Sequence, residues 1–405
     1  MRYIFHVDVN SAFLSWSAVY RLRELGQTQD LRSIPSVIGG DEEARHGIVL
    51  AKSTPAKKYG IETAEPIAMA RRKCPGLVVV PSDFEVYRRY SKAFMDILNK
   101  YSDNVIQYSI DEAWVVFDGY EDVYGDMVEF AYKLKDEIKD TLGFTVNIGV
   151  STQFILAKMA GDFEKPDKVH TLFEDERKEK MWPLPVSDLL YAGKAMTKSL
   201  RTLGILTIGD LAHADLSVIE SNLGKFGVAL WEYANGADIE PEDKEEMTRK
   251  GYGKSTTTPT DTVDMETARR ILLQLSDDVA ARLRRDKVYA GCISVSVRYS
   301  DFTHIGKQMI VDTPTSNTTD IYATACKLIN AIWDGHTPVR QLGVRATKVT
   351  NERYEQLSIW DMDNSAVGIE KDTADVSINA KREKADRAMD ILREKMGKDI
   401  VKRGM

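Results

Sequence analysis

Tyr108-Ser109-Ile110-Asp111-Glu112-Ala113-Trp114-Val115-Val116-Phe117 sets two adjacent acids inside a run that otherwise reads as one buried strand. Burying a carboxylate is costly unless a partner neutralises it, and no Lys or Arg lies in this stretch. The simplest partner is a divalent cation: hard oxygen ligands suit Mg²⁺, which also keeps waters and accepts substrate phosphates. A further acid ends a second apolar run, Tyr3-Ile4-Phe5-His6-Val7-Asp8-Val9-Asn10. Side chains alternate faces along a strand, so Asp111 and Glu112 cannot both reach one ion from regular β-structure. The expectation is a tight turn at Ser109 and Ile110, with both acids at a strand end beside Asp8. An exposed hairpin end would give the same pattern.

A length of 405 residues allows roughly two to four domains. Cys74, Cys292 and Cys326 are far apart with no CxxC pair, which argues against a disulfide framework and a zinc site. The first residues pass straight into a strand pattern without a basic-then-apolar leader, and no apolar run approaches the ~18 residues of a membrane span. A cytoplasmic protein with no membrane partner is expected. The formal net charge of −7 excludes a uniformly basic nucleic-acid coat but permits a local basic groove.

After Asp8, the run Ser11 to Val19 changes to helical spacing, and a helix start offers free N–H groups to an anion. A strand ending in a metal ligand and entering a helix makes a seat for a triphosphate; Phe13 in such a place also fits an ordinary core. Gly39-Gly40-Asp41-Glu42-Glu43 has the glycines and acid of a nucleotide-cyclase loop but lacks the aromatic residue after the acids, so it reads as a turn. Lys52 to Gly60 is a loop entering a short basic helix. Helical periodicity runs through Phe84, Tyr87, Phe94, Ile97, Leu98 and Tyr101, and again through Val123, Met127, Phe130, Leu134, Ile138 and Leu142. With the strand Phe144 to Ser151, these compose a βαββαβ, ferredoxin-like unit.

Short helices with Gly-bearing turns follow between Pro183 and Gly236, at Gly193, Gly204, Gly224 and Gly227. They read as helix-hairpin-helix elements, which hold DNA by backbone N–H groups on phosphates, or as generic helix packing. Asn235 to Lys254 is a polar linker. Gly253-Lys254-Ser255 lacks the earlier glycine of a phosphate loop, since Thr248 stands there. A second α+β unit runs to Thr350, with Arg298, Arg345 and Lys348 on its strands suited either to a nucleic-acid backbone or to plain solubility. The tail from Asn351 is polar except for Gln356-Leu357-Ser358-Ile359-Trp360, a candidate docking peptide, and an amphipathic helix near Arg382 to Met396.

Taken together, the order and spacing of His6-Val7-Asp8, Ser109-Ile110-Asp111-Glu112-Ala113, Gly149-Val150-Ser151, Leu156-Ala157-Lys158 and Lys165-Pro166 resemble the Y-family of translesion DNA polymerases. The resemblance spans about residues 1–350 and implies an α+β multidomain fold. Its parts are a ferredoxin-like palm (1–10 and 78–172), small fingers (11–77), a helical helix-hairpin-helix thumb (173–236), a linker (237–252), an α+β little finger (253–350) and a tail (351–405). The implied activity is low-fidelity, damage-tolerant nucleotidyl transfer from a dNTP to a primer end on template DNA, by a monomer. Asp8, the Val9 carbonyl, Asp111 and Glu112 would hold two Mg²⁺ ions. Phe13 would be the steric gate against a 2′-hydroxyl, and Ala12, Phe13, Thr54, Lys57 and Lys165 would line the nucleotide. Gly193, Gly224, Gly227, Arg298, Arg345 and Lys348 would touch DNA. Gln356, Leu357, Ile359 and Trp360 resemble a sliding-clamp peptide. The chain departs from the family at Asn10 (often an acid), Thr54 (usually Tyr), Lys57 (usually Arg), Gln153-Phe154 (usually Asn-Lys) and Tyr191 (usually a hairpin Gly). Two alternatives are a palm-fold nucleotide cyclase and a catalytically silent, clamp-recruiting DNA scaffold.

Overall fold

The structure, a computed structural model, describes residues 1–40, 47–239, 241, 249–352, 373–397, 400, 401 and 403, the side chains of 373–380 excepted. It divides into two compact units, Met1–Glu42 with Gly47–Lys244, and Glu43–His46 with Glu245–Met405.

In the first unit, β1 (Arg2–Val9) leads to α1 (Ala12–Arg23), β2 (Ser36–Gly39), β3 (Val49–Lys52), α2 (Thr54–Lys57), α3 (Ile67–Lys73) and β4 (Val78–Pro81). Then come α4 (Phe84–Tyr101), β5 (Val105–Gln107), β6 (Glu112–Asp118), α5 (Glu121–Tyr124), α6 (Met127–Leu142), β7 (Val146–Ser151), α7 (Phe154–Gly161) and β8 (Val169–Thr171). The main sheet has the order β5-β6-β1-β7-β8. Strands β5, β6, β1 and β7 are antiparallel neighbours, with α4 and α6 as the crossovers. This is the ferredoxin-like arrangement that the sequence implies. As the central strand, β1 is apolar on both faces: Phe5 and Val7 pack with α4 and α6, while Ile4 packs with Trp114 and α7. Strands β2, β3 and β4 form a small separate sheet. The last helices of the unit are α8 (Lys194–Thr202), α9 (Ile208–His213) and α10 (Leu216–Ala234). Their apolar residues Leu200, Leu211, Ile219 and Leu230 join the α7 side of the sheet in one core.

The second unit folds as β9 (Gly251–Thr262), α11 (Met265–Arg285), β10 (Tyr289–Tyr299), β11 (His304–Thr315), α12 (Thr318–Asn330) and β12 (Val339–Thr350), followed by α13 (Thr373–Met396). Its antiparallel sheet has the order β11-β10-β12-β9, covered on one face by α11 and α12. Helix α13 is tied to this unit by ion pairs of Arg284 with Asp386 (3.1 Å) and Asp390 (2.6 Å). Among the described residues, no helix is long and apolar enough to cross a membrane.

Several local expectations need correction. Val123 does not belong to the long helical face: it is 69% exposed, because Gly125 (φ 73°) ends α5 and the Asp126 side chain caps α6 anew. Phe84, the first residue of α4 after the Asp83 cap, is half exposed. The Gly253-Lys254-Ser255 segment, no phosphate loop by its sequence, lies inside β9. The final helix starts at Thr373, nine residues before Arg382.

Candidate active site

Pairing of β1 with β6 sets Asp8 directly opposite Glu112. Both side chains share the sheet face that α7 covers. The turn before β6 is held closely: the Tyr108 and Ser109 amides donate to the Glu112 carbonyl (3.0 and 3.1 Å), and the Val9 amide donates to the Asp111 carbonyl (3.0 Å). Ser109 Oγ donates to Asp111 Oδ1 (2.6 Å) and Ser91 Oγ to the Ile110 carbonyl (2.5 Å). Asp111 thus stands outside the alternation of β6, where the sequence required it.

Each acid has its own partner. Lys158 on α7 donates to Glu112 Oε2 at 2.5 Å, and His6 Nε2 lies 3.1 Å from the same oxygen. Lys165 pairs with Asp8 and with Asp162 (2.8 Å). Burial opposes the ionisation of Glu112, but hydrogen bonds from His6 and Lys158 and the Lys158 charge outweigh it and hold the carboxyl down to about 2. Asp8 moves the other way: burial pushes it up, more than Lys165 lowers it. Burial likewise lowers His6, which favours the neutral ring. Lys158 reaches this spot because β7 and α7 cross closely at Gly149, where any Cβ would collide with the Ala157 carbonyl and Gly161 amide.

The chemistry of the donor set fits a hard divalent cation, since anionic oxygens from two paired strands share a desolvated corner. As the side chains stand, no three acidic, His or Cys groups among the described residues are gathered tightly enough to hold a metal. Lys165, Lys158 and Ser109 each hold one of the three carboxylates.

Phe13 follows Ala12 at the start of α1, after Ser11 in a left-handed conformation (φ 48°) that makes no side-chain cap. Its ring is half buried against Tyr87 (4.7 Å between centroids), Trp16 (5.9 Å) and Phe84 (6.0 Å). Thr54 and Lys57 are exposed on α2, whose first turn Ser53 caps through the Ala56 amide (3.1 Å). Asn10 accepts from Thr145 Oγ1 and the Asp167 amide (3.0 Å each) and donates to Asn147 Oδ1 (3.1 Å). It thereby anchors the Lys165-Pro166-Asp167 loop. Sequence reasoning assigned no role to Asn10, His6 or Lys158. The usable signal was periodicity, since His6 precedes Asp8 by one alternation.

Residues 7–162 match the impB/mucB/samB family, and residues 249–359 match the C-terminal domain of that family. The chain is 42% identical over 403 residues to a DNA polymerase IV from Clostridium acetobutylicum, covering 99% of this chain and 97% of the relative. It is 35% identical over 407 residues to a DNA polymerase IV from Acetivibrio thermocellus, covering 100% and 97%. The chain belongs to the impB/mucB/samB family. A solved Y-family DNA polymerase chimera shares the fold, with a TM-score of 0.72 at 24% identity over 87% of this chain and 100% of the other. DinB from Sulfolobus solfataricus gives 0.53 at 24% identity, covering 86% and 98%.

Beyond the acids, this family member carries a basic recess at the start of α8. Gly193 caps that helix without a side-chain bond, leaving first-turn amides free, and Lys194, Lys198 and Arg201 line the recess. Gly224 (φ 61°) breaks α10 into two helices, a conformation glycine adopts without strain. Gly227 is buried against Leu223 and Ile219, a packing position rather than a presented amide. In the second unit, Arg298 and Arg345 are exposed. Arg345 is paired with Ser294, and Arg298 lies two alternations farther along β10 on the same face. Lys348 is exposed in a left-handed conformation (φ 51°). Gln356, Leu357, Ile359 and Trp360 lie outside the described residues.

Tyr191 is a further departure with a visible consequence. It holds φ at 70°, a conformation that strains a side-chain-bearing residue by about 1–2 kcal/mol. That is the backbone shape a glycine would supply.

Proposed function

We propose that the chain is a template-directed DNA polymerase of the translesion type that joins a dNTP to a primer 3′-hydroxyl at Asp8, Asp111 and Glu112. One observation carries the site: register sets Asp8 opposite Glu112, with the Asp111 carbonyl bonded to Val9. Family membership and end-to-end likeness to DNA polymerase IV chains support the activity. Asp8, Asp111, Glu112 and the Val9 carbonyl would hold two Mg²⁺ ions, which when bound make the primer hydroxyl more acidic and neutralise charge on the departing pyrophosphate.

The chain's own groups do the rest. Lys165, already paired with Asp8, is placed to exchange that acid for a phosphate oxygen, and Lys57 and Thr54 offer further donors to the triphosphate. Lys57 acts as a point charge, without the bidentate fork of an Arg. The Phe13 ring, held from behind by Tyr87 and Trp16, would exclude a 2′-hydroxyl by repulsion. The start of α8 and Gly224 would follow the DNA backbone, with Arg298, Arg345 and Lys348 of the little finger doing the same. The Gln356 to Trp360 peptide would dock on a sliding clamp, and the protein would work as a cytoplasmic monomer.

Primer extension with Mg²⁺ tests this reading. Asp111→Ala and Glu112→Ala should each remove extension while primer–template affinity stays close to that of the parent. Normal extension by either variant would overturn the assignment.

A further inference from the structure

Asn147 is fully buried on β7, between the apolar Val146 and Ile148. Register places it opposite Asp8, on the side away from Glu112, so Glu112, Asp8 and Asn147 form one row across three strands. Its amide uses its whole hydrogen-bonding capacity. Nδ2 donates to the carbonyls of Gly161 (3.1 Å) and Glu164 (2.7 Å), while Oδ1 accepts from Asn10 Nδ2 (3.1 Å) and the Lys168 amide (3.4 Å). Three of those four partners bracket the loop 162–167, which leaves the end of α7 and carries Lys165. Asn10 in turn accepts the Asp167 amide (3.0 Å), so the two side-chain amides hold the loop backbone on both sides of Lys165. The outer edge of the loop has its own fastening: Lys135 and Lys139 of α6 donate to the Asp167 carboxylate (2.8 and 2.7 Å). An apolar residue at 147 would suit the sheet equally well, but it would leave two carbonyls and the Asn10 amide without this partner.

We infer that Asn147 is a positioning residue that fixes the reach of Lys165, so that the grip on the nucleotide triphosphate depends on a buried amide that touches no substrate. The inference rests on the reading of Lys165 as a triphosphate-holding lysine. A lysine is a point charge on a flexible four-carbon stem, so its ammonium is confined only as well as the backbone beneath it. Asn147 confines that backbone next to Asp8, the acid with which Lys165 pairs. Exchange of Asp8 for a phosphate oxygen then needs only side-chain rotation over a fixed loop, and little ordering remains to be done on binding.

The test uses the full chain on a dideoxy-terminated primer–template with Ca²⁺, so that dNTP binding is read without reaction. Asn147→Thr keeps a strand-forming polar residue on β7, but its single hydroxyl cannot serve both carbonyls. It should weaken dNTP binding by about 10-fold while primer–template affinity stays within about two-fold, as expected for two lost hydrogen bonds that lie away from the DNA. In extension with Mg²⁺ the same change should appear as a raised KM with kcat little altered. Lys165→Met should weaken dNTP binding at least as much, and adding Asn147→Thr to it should bring no further loss, since both act on one contact. Asp167→Asn frees the loop from Lys135 and Lys139 at its exposed edge and should also weaken dNTP binding; it decides the question if Asn147→Thr does not fold. A lower melting temperature with parental dNTP affinity would make Asn147 a purely structural residue and refute the inference, as would additive losses in the double variant. Parental dNTP affinity in Lys165→Met would instead sink the reading of Lys165 itself.

Discussion

Replacing Lys158 by Met tests the electrostatics of the acid corner most directly. The substitution keeps the length and apolar stem of the side chain and removes the ammonium 2.5 Å from Glu112. The side chains of both partners are largely buried, at 12% and 16% exposure. The gap between the ordinary glutamate value of 4.5 and about 2 in the folded chain corresponds to roughly 3 kcal/mol. His6 shares that effect, while leaving a buried carboxylate short of a partner adds a penalty of its own. A loss of about 2–4 kcal/mol follows, or about 5–12 °C in melting temperature for a unit of this size. The pH dependence has a fixed sign. Because the folded value lies below 4.5, the contribution of Glu112 is fully present above that pH and is lost as pH falls through about 2. Lys158→Met raises the folded value, so acid unfolding should begin at higher pH. A divalent cation can replace the missing charge, so Mg²⁺ should recover more melting temperature in the variant than in the parent. Calorimetry with and without Mg²⁺, between pH 3 and pH 8, provides the measurement. An unchanged melting temperature, or equal Mg²⁺ effects on the two proteins, would refute the electrostatic account.

Two further outcomes concern the substrates. Phe13→Ala should reduce the preference for deoxynucleotides over ribonucleotides by about 100-fold or more, as expected when a steric clash is removed, measured as the ratio of kcat/KM values; unchanged sugar selectivity would remove the gate role. Arg345→Ala should weaken primer–template binding alike on unrelated sequences and lower the slope of log affinity against log salt by about 1, whereas an unchanged slope would mean that Arg345 touches no phosphate.

The sheet was legible because its signals are periodic. The apolar run of β1, the acids after Ser109 and the two helical stripes fixed strand, turn and crossover without any contact information. The turn itself followed from a stereochemical conflict, since Asp111 and Glu112 cannot point the same way from one strand. What stayed hidden depends on pairs distant in sequence. Nothing local to Lys158 says that its ammonium meets Glu112, because the encounter requires α7 to cross β7 at Gly149. Helix ends were hidden for another reason: a single cap at Asp126 separates Val123 from the stripe it shares with Met127 and Phe130, and periodicity alone does not register a cap.

Asn10 shows how the same local physics accounts for a departure from the family pattern. It is only 8% exposed, and it uses its oxygen on Thr145 and Asp167 and its amide on Asn147. An aspartate there could still accept the first two bonds. It could not donate to the Asn147 oxygen, and its charge would be buried within two residues of Asp8, whose own ionisation burial already opposes. A neutral amide therefore anchors the Lys165 loop without adding a fourth negative charge to a corner held by two ammonium groups. On this argument the substitution at position 10 serves loop placement, and the electrostatics of the acid corner are left to Asp8, Asp111 and Glu112 with Lys158 and Lys165.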